Sequence, residues 1–224
     1  MLRDTRAPGA VGPLFGVALA VVITLAGPLL LFNPWFTSAL QARHEVAAAF
    51  DTSPAEIDRV TRQILGDIYL NGAFDAALED GEPLLDVRER SHMGDVSRLV
   101  QVLAAVTIVA LVLAVVMGSW LRHERPRQGR IMLIAAGAVG TVAVLLAGIF
   151  AVAFEPAFLA FHAILFPAGT YLFSQGSNLI VLFPNGFWFD ASLAAGAAIV
   201  VTALLVTAIG FVRWRGRSEP KVEA

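Results

Sequence analysis

The stretch Leu99-Val-Gln-Val-Leu-Ala-Ala-Val-Thr-Ile-Val-Ala-Leu-Val-Leu-Ala-Val-Val-Met-Gly-Ser-Trp120 runs for twenty-two residues without a charge. As an α-helix it would be about 33 Å long, enough to cross a hydrocarbon layer of about 30 Å. Three further stretches, residues 11–32, 131–153 and 192–212, have the same character. A mean hydropathy of +0.72, with 57% hydrophobic and only 15% charged residues, lies far from the composition of a water-soluble domain. The expected architecture is a single all-α membrane domain of 224 residues with four transmembrane helices. The first span follows Arg3 and Arg6, is longer than a signal-peptide core and has no small-x-small site after it, so it reads as an uncleaved anchor. With no cysteine, disulfides, thiolate metal sites and a cysteine nucleophile are excluded.

Orientation follows from the basic residues. Ten of sixteen fall in three short segments: Arg3 and Arg6; Arg122, Arg125, Arg127 and Arg130; Arg213, Arg215, Arg217 and Lys221. The positive-inside rule puts these, and both termini, in the cytoplasm. Two outer segments remain, residues 33–98 and 154–191. The first carries twelve acidic residues against six arginines; the second carries Glu155 and Asp190 and no basic residue.

The first outer segment contains a helix signature. Ser53-Pro54-Ala55-Glu56 is a capping box with proline at the first helical position, and Ile57, Val60, Ile64, Leu65 and Ile68 recur on one face. This predicts an extracytoplasmic amphipathic helix over Pro54–Leu70, ended by Asn71-Gly72 and packed on the membrane surface or on the other outer segment. Glu79-Asp80-Gly81-Glu82-Pro83 reads as a turn. The second outer segment holds ten aromatic residues, yet Pro156, Pro167, Gly169, Gly176, Pro184 and Gly186 prevent one continuous helix. It reads as an interfacial or re-entrant segment, with a short helix near 156–166 and another apolar piece near 179–183.

Just before the quoted span stands Glu89-Arg-Ser-His92-Met-Gly-Asp95-Val96. If the helix reaches back this far, Glu89, His92 and Asp95 share a face, with Arg88 one turn from His92. A carboxylate beside an imidazole fixes its tautomer and raises its basicity, which suits a general base. The alternative is a charged helix start in which His92 merely covers the interface. His162 falls in the aromatic segment, so two of four histidines meet at the same boundary. No G-x-S-x-G or H-E-x-x-H motif occurs. Two histidines with Asp95 would make a metal triad, but no other spacing resembles a ligand set. The reading left is acid-base chemistry on a lipid group, with the aromatic segment cradling its acyl chain.

The elements Glu89–Val96, Phe161-His162-Ala-Ile-Leu-Phe166 and Leu179-Ile-Val-Leu-Phe183-Pro-Asn185-Gly-Phe-Trp188, together with Tyr69-Leu-Asn71-Gly72, resemble the four-helix bacterial membrane family that includes the lipoprotein intramolecular transacylase. The resemblance covers most of the chain. It implies an acyltransferase of the bacterial cell membrane, multi-pass, with an extracytoplasmic active face. The reaction implied moves an acyl chain from the diacylglyceryl group of a lipoprotein cysteine to the α-amine of that cysteine. It implies His92 and His162 as acid-base residues, and Asp95 is proposed as orienter of His92. Candidates for binding substrate are Glu89, Arg88, Tyr171, Asn178 and Asn185. Expected partners are diacylglyceryl-modified lipoproteins and membrane lipids, with no nucleic acid, no metal and no cofactor. The sequence departs from the family pattern after the F-H element, where residues 167–178 are rich in glycine and small polar groups. The competing reading is a non-catalytic accessory protein that binds a lipid or partner helix through the aromatic segment.

Overall fold

A computed structural model describes residues 9–79 and 81–216. Arg3, Arg6, Arg217 and Lys221, on which the orientation partly rests, and Asp80 of the predicted turn lie outside the described residues. Among the described residues the chain is helical and has no β-strand; an isolated bridge between Ala77 and Pro83 closes the turn, with Gly81 at φ +82°.

Four helices are long and apolar enough to cross a membrane: α1 (Val11–Leu31), α5 (Val87–Trp120, extended by a 3₁₀ turn to His123), α6 (Arg125–Val152) and α9 (Asn185–Arg215). Between them lie α2 (Pro34–Arg43), α3 (Val46–Ala49), α4 (Pro54–Leu70), α7 (Phe154–Leu165) and α8 (Asn178–Leu182). Only 11–17% of the most apolar stretch of each long helix is buried inside the protein. That apolar surface is therefore turned outward, as lipid requires and water would not tolerate. The chain is a multi-pass membrane protein with the expected four spans.

The fold divides into two compact units. One comprises the described parts of Met1–Gly27 and Ala197–Ala224 with Ala105–Leu145. Its core is small: Val11, Phe15, Leu19 and Ile23 of α1 meet Leu121 and Met132. Close backbone approach replaces bulk. A Cβ at Gly129 would lie 2.4 Å from the Trp214 nitrogen and 2.5 Å from the Gly210 oxygen, so α6 and α9 cross at a contact only glycine permits. Buried Gln128 adds polar glue there, donating to the Gly118 carbonyl at 3.0 Å and accepting from Arg213.

The other unit comprises Pro28–Ala104 and Leu146–Gly196. Its centre is α4, which forms as the sequence predicts. The Ser53 hydroxyl accepts from the Glu56 N–H at 3.2 Å, and Ile57, Val60, Ile64, Leu65 and Ile68 are all buried. Asn71 ends it in the left-handed conformation at φ 54°, and the Gly72 N–H returns to the Asp67 carbonyl at 3.0 Å. A side chain at Gly72 would strike the Asp67 carboxylate 2.0 Å away. Of the two surfaces expected for the apolar face of α4, the second is the one used. It packs in a common core with Leu179, Leu182, Phe183 and Phe187 of the segment 154–191 and with Met93 and Val100 of α5.

Buried polar bonds lock these elements together. Thr61 donates to the Gln41 side-chain oxygen at 2.9 Å, Gln41 donates to the Leu182 carbonyl at 3.2 Å, and Ser97 donates to the Ile68 carbonyl at 2.7 Å. Helix α2 is not among the sequence expectations. Its signal is Asn33-Pro34, a side-chain cap accepting from the Phe36 N–H at 3.0 Å with proline at the first position.

Gly129→Leu is expected to lower stability by ~1–3 kcal/mol or more, as overpacking against rigid backbone does. Gly137→Ala, where nothing lies within 4 Å, serves as the neutral control. Thermal unfolding in detergent should show a lower midpoint for the first variant alone.

Candidate active site

The site begins at the start of α5. The Asp86 carboxylate accepts from the Glu89 N–H at 2.8 Å, and the Glu89 carboxylate accepts from the Asp86 N–H at 2.8 Å, a reciprocal cap. The other oxygen of Glu89 accepts from the Leu179 N–H at 2.9 Å in the first turn of α8. Glu89 is 2% exposed, so one buried carboxylate joins two helix starts. Nearby, the Asn178 side chain donates to the Leu84 carbonyl at 2.7 Å.

One turn beyond Glu89, His92 points into an aromatic enclosure. It is 6% exposed, with Phe166 edge-on at 4.9 Å and Phe173 at 5.5 Å between ring centroids. The His162 ring, from α7, lies 6.1 Å from that of His92, tilted by 31°. Phe158 covers His162 at 4.2 Å, Tyr171 lies at 5.5 Å, and Phe166 touches both imidazoles. Two histidines separated by seventy positions are therefore neighbours in one apolar pocket.

The hydrogen bonds distinguish the two rings. His162 Nδ1 lies 2.8 Å from the Phe158 carbonyl oxygen. A carbonyl can only accept, so Nδ1 carries the proton and Nε2 keeps a free lone pair. Burial pulls the His162 imidazole below its ordinary value of 6.5, and the bond to Phe158 partly offsets this. His92 Nδ1 is buried and has no hydrogen-bond partner among the described residues.

The other expected residues have more varied surroundings. Asp95, the proposed orienter, bonds to Arg98 through one oxygen and makes no hydrogen bond to His92 Nδ1. Arg88 donates to the Leu172 carbonyl at 3.3 Å and sits over the Phe173 ring at 5.8 Å. Glu89 and Asn178 are engaged with backbone groups, Tyr171 lines the pocket, and Asn185 is exposed at the start of α9. The remaining histidines are elsewhere: His44 pairs with Asp190 at 2.9 Å, and His123 accepts from Arg122. Among the described residues no group of three or more His, Asp or Glu side chains is disposed to hold a metal ion. Phe166 and Phe173 as the walls around His92 were not legible as such. The only clue was their place among ten aromatics, and which rings face a histidine depends on how the loop folds.

This arrangement offers a proton acceptor at His162 Nε2, a second imidazole beside it, and aromatic walls around both. It defines a multi-pass membrane protein with a paired-histidine site lined by aromatic rings. The family model of the lipoprotein intramolecular transacylase Lit matches residues 13–188, and the chain belongs to that family. The fold is similar to the in meso structure of the membrane integral lipoprotein intramolecular transacylase Lit from Bacillus cereus. The TM-score is 0.76 at 17% identity, covering 91% of this chain and 94% of that one. A form of the same Bacillus cereus protein with a histidine-to-arginine mutation gives a TM-score of 0.74 at 17% identity, over 91% and 90% of the two chains. A comparison with curated proteins finds no match.

Replacing Glu89 by Gln leaves one acceptor oxygen for two backbone donors and sets an amide NH₂ against the other donor. A loss of about 1–3 kcal/mol is expected from the donor left unsatisfied. Thermal unfolding at pH 7 checks it, with Glu79→Gln on the exposed turn as the unaffected control.

Proposed function

We propose that this protein transfers an acyl chain within a bacterial lipoprotein, from the glycerol of a diacylglyceryl-modified cysteine to the α-amine of the same cysteine. The observation that carries the reading is the pair of imidazoles 6.1 Å apart inside an aromatic enclosure, on a chain of the transacylase family. Both reacting groups belong to one substrate, so no enzyme nucleophile is required. The protein has to bring amine and ester together, and effective molarities of about 10⁵–10⁸ M for well-oriented intramolecular reactions supply much of the acceleration.

The chemistry divides between the two rings. The amine nitrogen attacks the ester carbonyl carbon while His162 Nε2 takes the amine proton. The carbon-oxygen bond to glycerol then breaks, and the imidazolium of His162 gives that proton to the departing glycerol oxygen. An N–H of the neutral His92 imidazole donates a hydrogen bond to the oxygen on which charge develops, so both rings end neutral as they began. The net change is one amide and one free hydroxyl, with no proton gained or lost by the enzyme. The aromatic residues exclude water, which would otherwise take the acyl group and release a fatty acid.

The active face is assigned to the extracytoplasmic side. Arg122 in the turn after α5 and Arg125, Arg127 and Arg130 in the first turns of α6, with Arg213 and Arg215 at the end of α9, mark the cytoplasmic side by the positive-inside rule. The acidic residues of 33–98 then face outward together with the site.

Mass spectrometry of the N-terminal peptide of a reporter lipoprotein, in a host lacking its own N-acylating enzyme, tests the reaction. The expected product is an N-acyl, S-monoacylglyceryl cysteine. His92→Gln and His162→Gln should each lower its formation by about 10²- to 10⁴-fold without loss of folded protein. Unmodified diacylglyceryl cysteine alongside folded wild-type protein would instead favour a lipid- or helix-binding accessory role.

The pH profile gives a second test. Because His162 is held below 6.5, it is already a free base wherever the substrate amine begins to deprotonate, with a reference value of about 8. The rate should climb with pH toward about 8 with no separate break at 6.5. A distinct inflection there, lost in His162→Gln, would show that the ring titrates as an ordinary histidine.

A further inference from the structure

Between α7 and α8, residues 167–177 form a non-helical strap containing Pro167, Gly169 and Gly176, with Gly169 at φ +82°. The strap carries two of the rings that enclose the histidines, Tyr171 against His162 and Phe173 against His92. Its ends are well held. Phe166 is buried against both imidazoles, and at the far end Asn178 and the Leu179 N–H are bonded to the Leu84 carbonyl and Glu89. The hydrogen bond from the strap's middle to α5 is the one Arg88 donates to the Leu172 carbonyl at 3.3 Å. Leu172 sits between the two ring-bearing residues, and the same guanidinium lies 5.8 Å from the centroid of the Phe173 ring. Glu89, next to Arg88, anchors the strap's end, and His92, one turn on, is what the strap covers.

We propose that Arg88 is a positioning residue: by holding Leu172 it seats Tyr171 and Phe173 over the histidine pair and so sets the reactive geometry. The inference rests on the acyl-transfer reading. It differs from the sequence expectation that Arg88 binds substrate directly. The bond is long and exposed, the kind of contact that can be released while a lipid with two acyl chains enters and re-formed afterwards. Arginine suits the task because one planar group can donate to a carbonyl and lie over an aromatic ring at once; lysine offers only a point charge.

The test compares wild type, Arg88→Met and Arg88→Lys in mixed micelles containing diacylglyceryl lipopeptide, with thermal unfolding of each variant as a check on folding. Misplacement of catalytic geometry by about 1 Å can cost 10²-fold in rate, so kcat of Arg88→Met should fall ~10- to 100-fold with KM changed less than about threefold. Arg88→Lys should recover only part of that loss. In the same samples, chymotrypsin should cut at Tyr171, Leu172 or Phe173 several times faster in Arg88→Met than in wild type, at an unchanged unfolding midpoint. A raised KM with unchanged kcat and unchanged cleavage would overturn the proposal in favour of direct substrate contact. Wild-type kinetics and cleavage in Arg88→Met would overturn it outright. Absence of transfer by folded wild type would instead remove the acyl-transfer reading itself, while the cleavage comparison still reports on whether Arg88 holds the strap.

Discussion

Much of the site hangs on one buried carboxylate. Glu89 accepts from the backbone N–H of Asp86, just before its own helix, and from another at the start of α8, ninety positions away. A carboxylate 2% exposed is costly unless its oxygens are satisfied, and here the partners are backbone groups that cannot swing away. It therefore does what an apolar contact could not: it sets both the distance and the direction between two helix starts. His92 follows one turn later on the first helix, and the loop that covers it ends on the second.

The environment built on that link is unusual for the acid-base role proposed for the two histidines. Around the two imidazoles stand Phe158, Phe166, Tyr171 and Phe173, and Asp95, three residues after His92, is engaged by Arg98. In such surroundings a neutral imidazole is favoured over a cation, and the bond from His162 Nδ1 to a backbone carbonyl decides which nitrogen is basic. The orienting role that a histidine-aspartate spacing suggests is taken for His162 by the Phe158 carbonyl four residues earlier on its own helix. That substitution lets the pocket stay apolar, which suits an ester with long hydrocarbon chains.

Much of this was legible beforehand where the cause is local. The four spans follow from uninterrupted apolar length, and α4 from a capping box, a repeating apolar face and an Asn-Gly stop, all within one segment. The short helix α7 follows from the proline and glycine punctuation around it, while α8 was legible only as an apolar piece, its helical turn being set by the Ser177 cap. Less legible was α2, although Asn33-Pro34 marks its start, because its own face is too mixed to stand out before Gln41 and Thr61 are seen bonded beneath it. The roles of Glu89, Asn178 and Arg88 were harder still. All three looked like groups for a substrate, and all three are engaged by main-chain atoms of this same protein.

The sequence by itself determined the membrane class, the number of spans and the amphipathic helix α4, since these depend on hydropathy and capping that each segment carries alone. It also brought His92 and His162 to one boundary, because each sits at the end of an apolar run. Only the tertiary structure decided that their rings would be neighbours, which aromatic residues enclose them and which nitrogen of His162 is free. Those outcomes depend on contacts between residues seventy to ninety positions apart, and pairings at such range are set by packing and by buried backbone bonds rather than by any pattern along the chain.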